Sequence, residues 1–301
     1  MSAPHRFTRR TGLKAALAVA ASVPLSSTVL PTASASGAER QGPPLHIMSF
    51  NLKGSNTAAP SWGARRPVTR ELLRREQPHV IGTQEGVYQQ LREIKNDLGS
   101  SYDWIGTGIE GGSRGAEHAA IIYDVHRLEP TEHYTFWLSG TPETIGSNTW
   151  GGGYPRVATW VRFKDLLDGG RQFYVLSTHF DHKSQDAQKR SATLMARRIG
   201  KLARVAPVLL TGDFNVAAHK SPVYTEMLRG GLVDTWDKAA ERSALYGTFH
   251  GYKPLTANGD RIDWILSTPG ITTQRASINT FSVNGQFPSD HLPVQAWVTV
   301  R

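Results

Sequence analysis

The 301-residue sequence contains no cysteine. That absence excludes a cysteine nucleophile, zinc–thiolate sites and iron–sulfur clusters, so any chemistry must come from oxygen and nitrogen ligands. It also excludes disulfides, which a chain of this size does not need because its core alone can supply stability. Long apolar runs are missing too. Spanning a bilayer as a helix takes about 20 mainly apolar residues, and Ser22, Pro24, Ser26, Ser27 and Thr28 interrupt the most apolar stretch early. The glycines at Gly111-Gly112 and Gly151-Gly152-Gly153 lack the fixed spacing of dinucleotide or P-loop motifs and read as loop glycines. No internal repeat occurs. With 39% hydrophobic and 20% charged residues, the composition is that of a soluble globular protein rather than a disordered or collagenous one.

Acidic residues are absent from the first 35 positions, which hold Arg6, Arg9, Arg10 and Lys14. Taking those four from the 34 basic residues, against 25 acidic ones, leaves +5 on the remainder. A surplus of that size favours anionic partners without saying which anion. The basic start, the apolar stretch Leu13 to Leu25 and the small-x-small site Ala33-Ser34-Ala35 read as an export signal over residues 1–35, absent from the mature protein. Within it, Thr8-Arg9-Arg10-Thr11-Gly12-Leu13-Lys14 resembles the twin-arginine signal. The alternative is a Sec signal that happens to carry paired arginines. The twin-arginine reading implies export of an already folded chain, which suits a protein that folds around a metal. The expected location is extracellular.

Residues 36–44 read as a linker. From 45 to 301 one domain is expected, alternating short apolar strands with amphipathic helices. The strand-like runs are Leu45–Phe50, His79–Gly82, Ala119–Tyr123, Ala158–Phe163, Phe173–Ser177, Pro207–Leu210, Ile262–Leu266 and Val294–Val300, each bounded by turn-forming residues. Helical periodicity predicts helices over Pro67–Gln77 and Ser184–Arg204, the second with Ala187, Leu194, Met195, Ile199 and Leu202 on its apolar face and a basic, solvated face opposite. The mixture argues an α/β fold with helices covering sheets. Thr135–Pro155, with Trp137, Trp150 and Tyr154, reads as a long loop able to wall a substrate cleft.

One pattern recurs: apolar strands end in a carboxylate, amide or imidazole. They end in Asn51, Glu85, His179 and Asp213, with Asn215 two residues on, while Asp263 opens Asp-Trp-Ile-Leu and Ser289-Asp290-His291 precedes the last strand. Ligands of α/β proteins bind at strand ends, where loops converge. Singly, each residue has an ordinary use as a turn former, helix cap or core histidine. Asp213 and Asn215, two apart, would point the same way on an extended backbone.

Taken together, Ser-Phe-Asn-Leu at 49–52, Thr-Gln-Glu at 83–85, Ser-Thr-His-Phe-Asp-His at 177–182, Gly-Asp-Phe-Asn at 212–215, Arg-Ile-Asp-Trp-Ile at 261–265 and Ser-Asp-His-Leu-Pro-Val at 289–294 resemble the endonuclease/exonuclease/phosphatase superfamily. The likeness spans nearly the whole mature chain. It implies a four-layered α/β sandwich, two mixed β-sheets face to face with helices outside, and an Mg²⁺- or Mn²⁺-dependent hydrolase of phosphoesters. By the same resemblance Glu85 holds the metal, with Asn51 beside it and Asp290 as a further ligand. His291 is then the general base and Asp263 its orienter. Asp213 orients water or protonates the leaving oxygen, while Asn215 and His179 donate to the phosphoryl oxygens. These roles agree with residue chemistry. A hard cation neutralises phosphoryl charge, an imidazole near neutral pKa suits a base, and charge-assisted donors stabilise the transition state.

Apurinic endonucleases carry tyrosine where this chain has His179, whereas phosphodiesterase and phosphatase branches carry histidine, which turns the reading away from abasic-site repair. Asn51, Asn215 and His179, together with His182, Arg156 and His118, are the candidate substrate contacts, Glu117 lying beside His118. Asp181-His182 reads as structural support or substrate contact, with a second metal site as the alternative. The substrate is expected to be a phosphoester: a small organic phosphate, a lipid headgroup or nucleic acid. An extracellular nuclease is the alternative function, and a non-catalytic phosphate-ligand binding protein the second alternative. Nothing calls for an obligate protein partner, and a monomer is expected.

Overall fold

Leu45–Asn51 is buried at every residue, a condition that requires cover on both faces. In the protein, a computed structural model that describes residues 42–54, 59–112 and 116–301, this strand sits inside a seven-stranded sheet. The export signal read at 1–35 and all but the last three residues of the linker lie outside the described residues. Leu45–Asn51 pairs antiparallel with Val294–Val300 and parallel with Val80–Gln84. Ile271–Ile278 and Glu241–Arg242 extend the sheet on one side, Ile121–Asp124 and Tyr102–Ile105 on the other. A second sheet has six strands in the order Val233–Asp234, Asp263–Ser267, Val208–Asp213, Arg171–His179, Val157–Asp165, Leu128–Trp137. Gly86–Val87 and Glu117–His118 form a separate two-stranded pair.

Alternation along the strands divides the core into layers. Ile47, Val80, Ile121 and Val294 of the first sheet meet Val161, Phe163, Phe173, Val175, Leu209 and Ile265 of the second. The opposite face of the first sheet, through Met48, Phe50 and Ile81, takes Leu72 and Leu73 of helix Trp62–Glu76 and Leu91 and Ile94 of helix Tyr88–Leu98. The outer face of the second sheet, through Leu176, Leu210 and Trp264, is covered by Met195 and Ile199 of helix Gln185–Leu202 and by Val223 and Met227 of helix Pro222–Arg229. The result is helix, sheet, sheet, helix. Truncating one of the rings between the sheets, Phe163 or Phe173, both wholly buried, is worth about 3–5 kcal/mol.

The sheets approach closely at Gly82, where a Cβ would lie 1.8 Å from Thr211 Oγ1. Only glycine fits there. Ser177 Oγ donates to Thr83 O across the same gap at 3.0 Å.

The helix expected over Pro67–Gln77 begins earlier, at Trp62, where Ser61 accepts from Ala64 N as an N-cap. Pro67 is therefore inside the helix, where it has no N–H to give the Gly63 carbonyl. The other expected helix is found as Gln185–Leu202, capped by Ser184. The segment Thr135–Pro155 is only partly loop, because Thr135, Phe136 and Trp137 close the ten-residue strand Leu128–Trp137. That strand edges its sheet, and Glu129, Glu132 and His133 face solvent, so it lacks the apolar alternation that marks a strand.

Candidate active site

The layer rule places the polar strand ends. Ile47, Val175, Leu209 and Ile265 point between the sheets, so residues an even number of positions away point there also. Asn51, His179, Asp213 and Asp263 meet that condition. Pairing register then sets them side by side: Asp213 is opposite both His179 and Asp263 in the second sheet, and Asn51 is opposite Gln84, next to Glu85, in the first. At the open end of the sandwich the sheets are joined by Asn51, whose Nδ2 donates to Glu85 Oε1 and to Asp213 Oδ2, each at 2.9 Å.

His291 arrives from the loop before the last strand, and its Nδ1 lies 2.9 Å from Asp263 Oδ2. Its Nε2 faces Asp213 Oδ2 at 3.8 Å. Burial alone would lower the His291 pKa, but Asp263, then Asp213, hold it up at about 10. Burial, seconded by the charge of Asp263, pushes Asp213 up, while His291 and the donors from Asn215 and Asn51 pull it back. The second Asp263 oxygen, Oδ1, accepts no hydrogen bond. A carboxylate committed to one imidazole nitrogen leaves the other free toward the site, the arrangement that orients a general base.

His179 is held differently. Arg156 reaches its Nδ1 at 2.7 Å through one terminal nitrogen and His182 Nδ1 at 3.2 Å through the other. Guanidinium only donates, so His179 accepts at Nδ1 and carries its proton on Nε2. That Nε2 is 3.4 Å from Asp213 Oδ2 and 2.8 Å from Asn215 Nδ2. Burial first, then the Arg156 charge, keeps the His179 pKa well below the ordinary value. Asn215 reaches this point by a left-handed backbone turn, φ 53°, and not by the strand alternation expected of it, because the strand ends at Asp213. Glu85, at φ 60°, is also left-handed, a local strain that clusters at functional sites.

Glu85, Asp213 and His291 offer ligand atoms within 4.8 Å of one another. Two carboxylates and an imidazole are a donor set for a divalent cation, oxygen-rich enough for Mg²⁺ or Mn²⁺. Asp290 does not join this group of three. Its backbone carbonyl receives the His250 and Gly251 N–H groups, and its carboxylate accepts from Ser289 Oγ at 3.3 Å. Asn51 stands beside Glu85, its Oδ1 taken by the Lys53 N–H.

Arg156 is in the site, 6% exposed. His182 lies at its rim, its ring facing Tyr154 at 6.1 Å. His118 is fully buried edge-on to Trp104, and its neighbour Glu117 is the residue turned toward Glu85. Burial and then the Glu85 charge push Glu117 up to about 7. Asp181 accepts from the Gly153, Lys183 and Ser184 N–H groups, so it supports the turn rather than a metal. Two residues carry more than the motifs conveyed. Phe249, 55% exposed, packs on the His291 ring at 4.9 Å between centroids. Arg65, 1% exposed, donates to the carbonyls of Leu52, Lys53 and Pro288 at 2.7, 2.9 and 3.0 Å, tying the loop after Asn51 to the loop before His291. The basic residue three past Trp62 was the only signal for it.

The sequence model of the Endonuclease/Exonuclease/phosphatase family matches residues 48–291. The chain belongs to that family. Members of the endonuclease/exonuclease/phosphatase family hydrolyse phosphoester bonds, generally with a divalent metal, and the site has the donors for one. Among solved structures, a family protein from Bacteroides thetaiotaomicron is similar with a TM-score of 0.81 and 33% identity, over 87% of this chain and 99% of that one. A mannosyl-6-phosphatase from the same organism is similar with a TM-score of 0.79 and 33% identity, over 84% of this chain and 99% of that one. Protein angel of Drosophila melanogaster is 24% identical over 184 residues, 58% of this chain. The chain spans about half, 49%, of the length of that curated relative.

Proposed function

We propose that the protein is an exported, Mg²⁺- or Mn²⁺-dependent phosphoesterase that hydrolyses small organic phosphates, monoesters in preference to diesters. The observation that carries this reading is the Asp263–His291 pair at 2.9 Å, set against Asp213, Asn51 and Glu85 at the end of the sandwich. The monoester preference is supported by the likeness to a mannosyl-6-phosphatase. Glu85, with Asn51 beside it, would hold the cation, which neutralises charge on the phosphoryl oxygens and makes water a better nucleophile.

His291 first passes its Nε2 proton to Asp213 across 3.8 Å; the freed Nε2 then takes the proton of the attacking water, and Asp263 stabilises the imidazolium that forms. His179 Nε2–H and Asn215 donate to the phosphoryl oxygens as charge builds on them. As the ester P–O bond breaks, Asp213, whose raised pKa keeps it able to carry a proton, protonates the leaving oxygen. Protonated His291 and ionised Asp213 are then restored, ready for the next turnover.

The test is to strip the mature protein with chelator, restore Mg²⁺ or Mn²⁺, and compare nitrophenyl phosphate with bis(nitrophenyl) phosphate, with His291→Ala as control. Metal-dependent release lost in the variant is the expected result. Turnover that persists in chelator or in His291→Ala overturns the mechanism. Export through the twin-arginine route predicts that Arg9→Lys with Arg10→Lys retains the protein inside the cell. An extracellular nuclease is the second reading, favoured by exposed Phe249 against His291, a surface for stacking a base. Nucleic-acid affinity would fall steeply with salt, whereas a one-phosphate substrate responds weakly.

A further inference from the structure

A small cavity adjoins the phosphoryl-binding groups, lined by Glu85, Glu117, Arg156 and His179 with Ile109 and Ala119. It gives the centre of a water-sized group about 10 Å³ of room, enough for one such group and no more. Arg156 Nε and both ring nitrogens of His118, which also lines the cavity, are buried without hydrogen-bond partners. The Glu117 carboxylate is half-buried and accepts no hydrogen bond among the described residues. Arg156 spends its terminal nitrogens on His179 and His182, and its Nε is buried without an acceptor. A buried donor without a partner costs free energy until something pairs with it, and the Glu117 carboxylate offers a second contact on the same space.

The charges narrow the occupant. Two carboxylates repel an anion, and the Arg156 guanidinium in the same wall opposes a cation beyond the one assigned to Glu85. Ile109 and Ala119 close the sides, so a nucleobase or an acyl chain is too large. A neutral group that both donates and accepts remains.

We infer that the cavity is a hydroxyl subsite, in which one hydroxyl of the substrate's alcohol portion donates to Glu117 and accepts from Arg156 Nε. The inference rests on the phosphoesterase reading, because Glu85 and His179 belong to both the cavity and the phosphoryl site. A hydroxyl tethered to the bound phosphoryl group reaches the cavity at a high effective concentration. The substrate class is therefore a phosphorylated polyol, sugars included, in preference to a simple alkyl or aryl phosphate.

The experiment compares kcat/KM for mannose 6-phosphate and glycerol 2-phosphate with that for ethyl phosphate, which has no hydroxyl, in wild type, Glu117→Gln and Ala119→Val. The glutamine variant keeps the shape and removes the charged acceptor; the valine variant fills the space. Wild type should prefer at least one polyol phosphate about tenfold or more, and each variant should lose most of that preference. No preference in wild type, or an undiminished preference in both folded variants, overturns the inference and leaves the cavity holding an ordered water only. Titration calorimetry of mannose 6-phosphate and ethyl phosphate with the chelator-treated protein reads the same preference without turnover. Absence of phosphate release from every probe, with the binding preference and its loss in the variants intact, refutes the phosphoesterase reading while supporting the subsite.

Discussion

Asp263→Asn removes one charge from the site and almost nothing of its shape, so its effects isolate what that charge does. Asp263 Oδ2 lies 2.9 Å from His291 Nδ1, and both residues are buried. With the imidazole held at about 10, His291 is protonated at pH 7 in the metal-free protein, three units below its pKa. At about 1.36 kcal/mol per unit, the protonated pair contributes at most about 4 kcal/mol at that pH, since a variant can always fall back on a neutral imidazole. The sign follows from a folded pKa above the unfolded value of about 6.5. The contribution is whole below pH 6.5 and is lost as pH rises through 10. Urea unfolding of chelator-treated wild type and Asp263→Asn at pH 6, 7.5 and 9 should therefore show a stability gap that is widest at pH 6 and closes toward pH 10. In parallel, kcat should fall by on the order of 10³–10⁴, as when a base loses the carboxylate that fixes its tautomer. A gap of constant size across the pH series would refute the reasoning, because a purely steric defect does not titrate.

Three further outcomes follow from the geometry. Glu85→Gln should weaken Mn²⁺ binding, read by titration calorimetry, at least tenfold and abolish turnover; unchanged affinity would move the metal away from Glu85. Arg156→Lys cannot span both His179 and His182, so the His179 tautomer is freed. The nitrogen-15 spectrum of its ring should change from a single Nε2–H form to a mixture, with kcat down about ten- to a hundredfold and KM changed less. Gly82→Ala places a methyl 1.8 Å from Thr211 Oγ1 and should cost about 3 kcal/mol, seen as a lower urea midpoint; an unchanged midpoint would mean that the sheets separate more easily than their packing implies.

The polar strand ends that meet in the structure were legible in the sequence because each stands at the end of an apolar run, and burial between two sheets requires such runs. His179, Asp213 and Asp263 meet through register, which the sequence shows only as a shared position at strand ends. Where an apolar run was missing, the structure was harder to read. Leu128–Trp137 is an edge strand with charged faces, and Tyr102–Ile105 and Ile271–Ile278 also lie at or near sheet margins. Helix Tyr88–Leu98 was missed because only Leu91 and Ile94, with Gln90, are buried. Asp290, which the family resemblance implies as a further ligand, stands beside His291 with its carboxylate on Ser289 Oγ. The roles of Arg65 and Glu117 depend on a carbonyl cluster and on a cavity, neither of which leaves a mark in one dimension.

The pairing of Leu45–Asn51 with Val294–Val300 also sets a clock. Asn51 and His291 stand 240 positions apart in the chain, and the strand that anchors His291 leaves the ribosome long after the one that ends in Asn51. At roughly 5–20 residues per second, the first half of the site waits roughly 10–50 s for the second. Until then Leu45–Asn51 lacks a neighbour on one side, and no nascent fragment holds both the metal-side carboxylate and the base. A nascent product that stops short of His291 therefore carries only one half of the site.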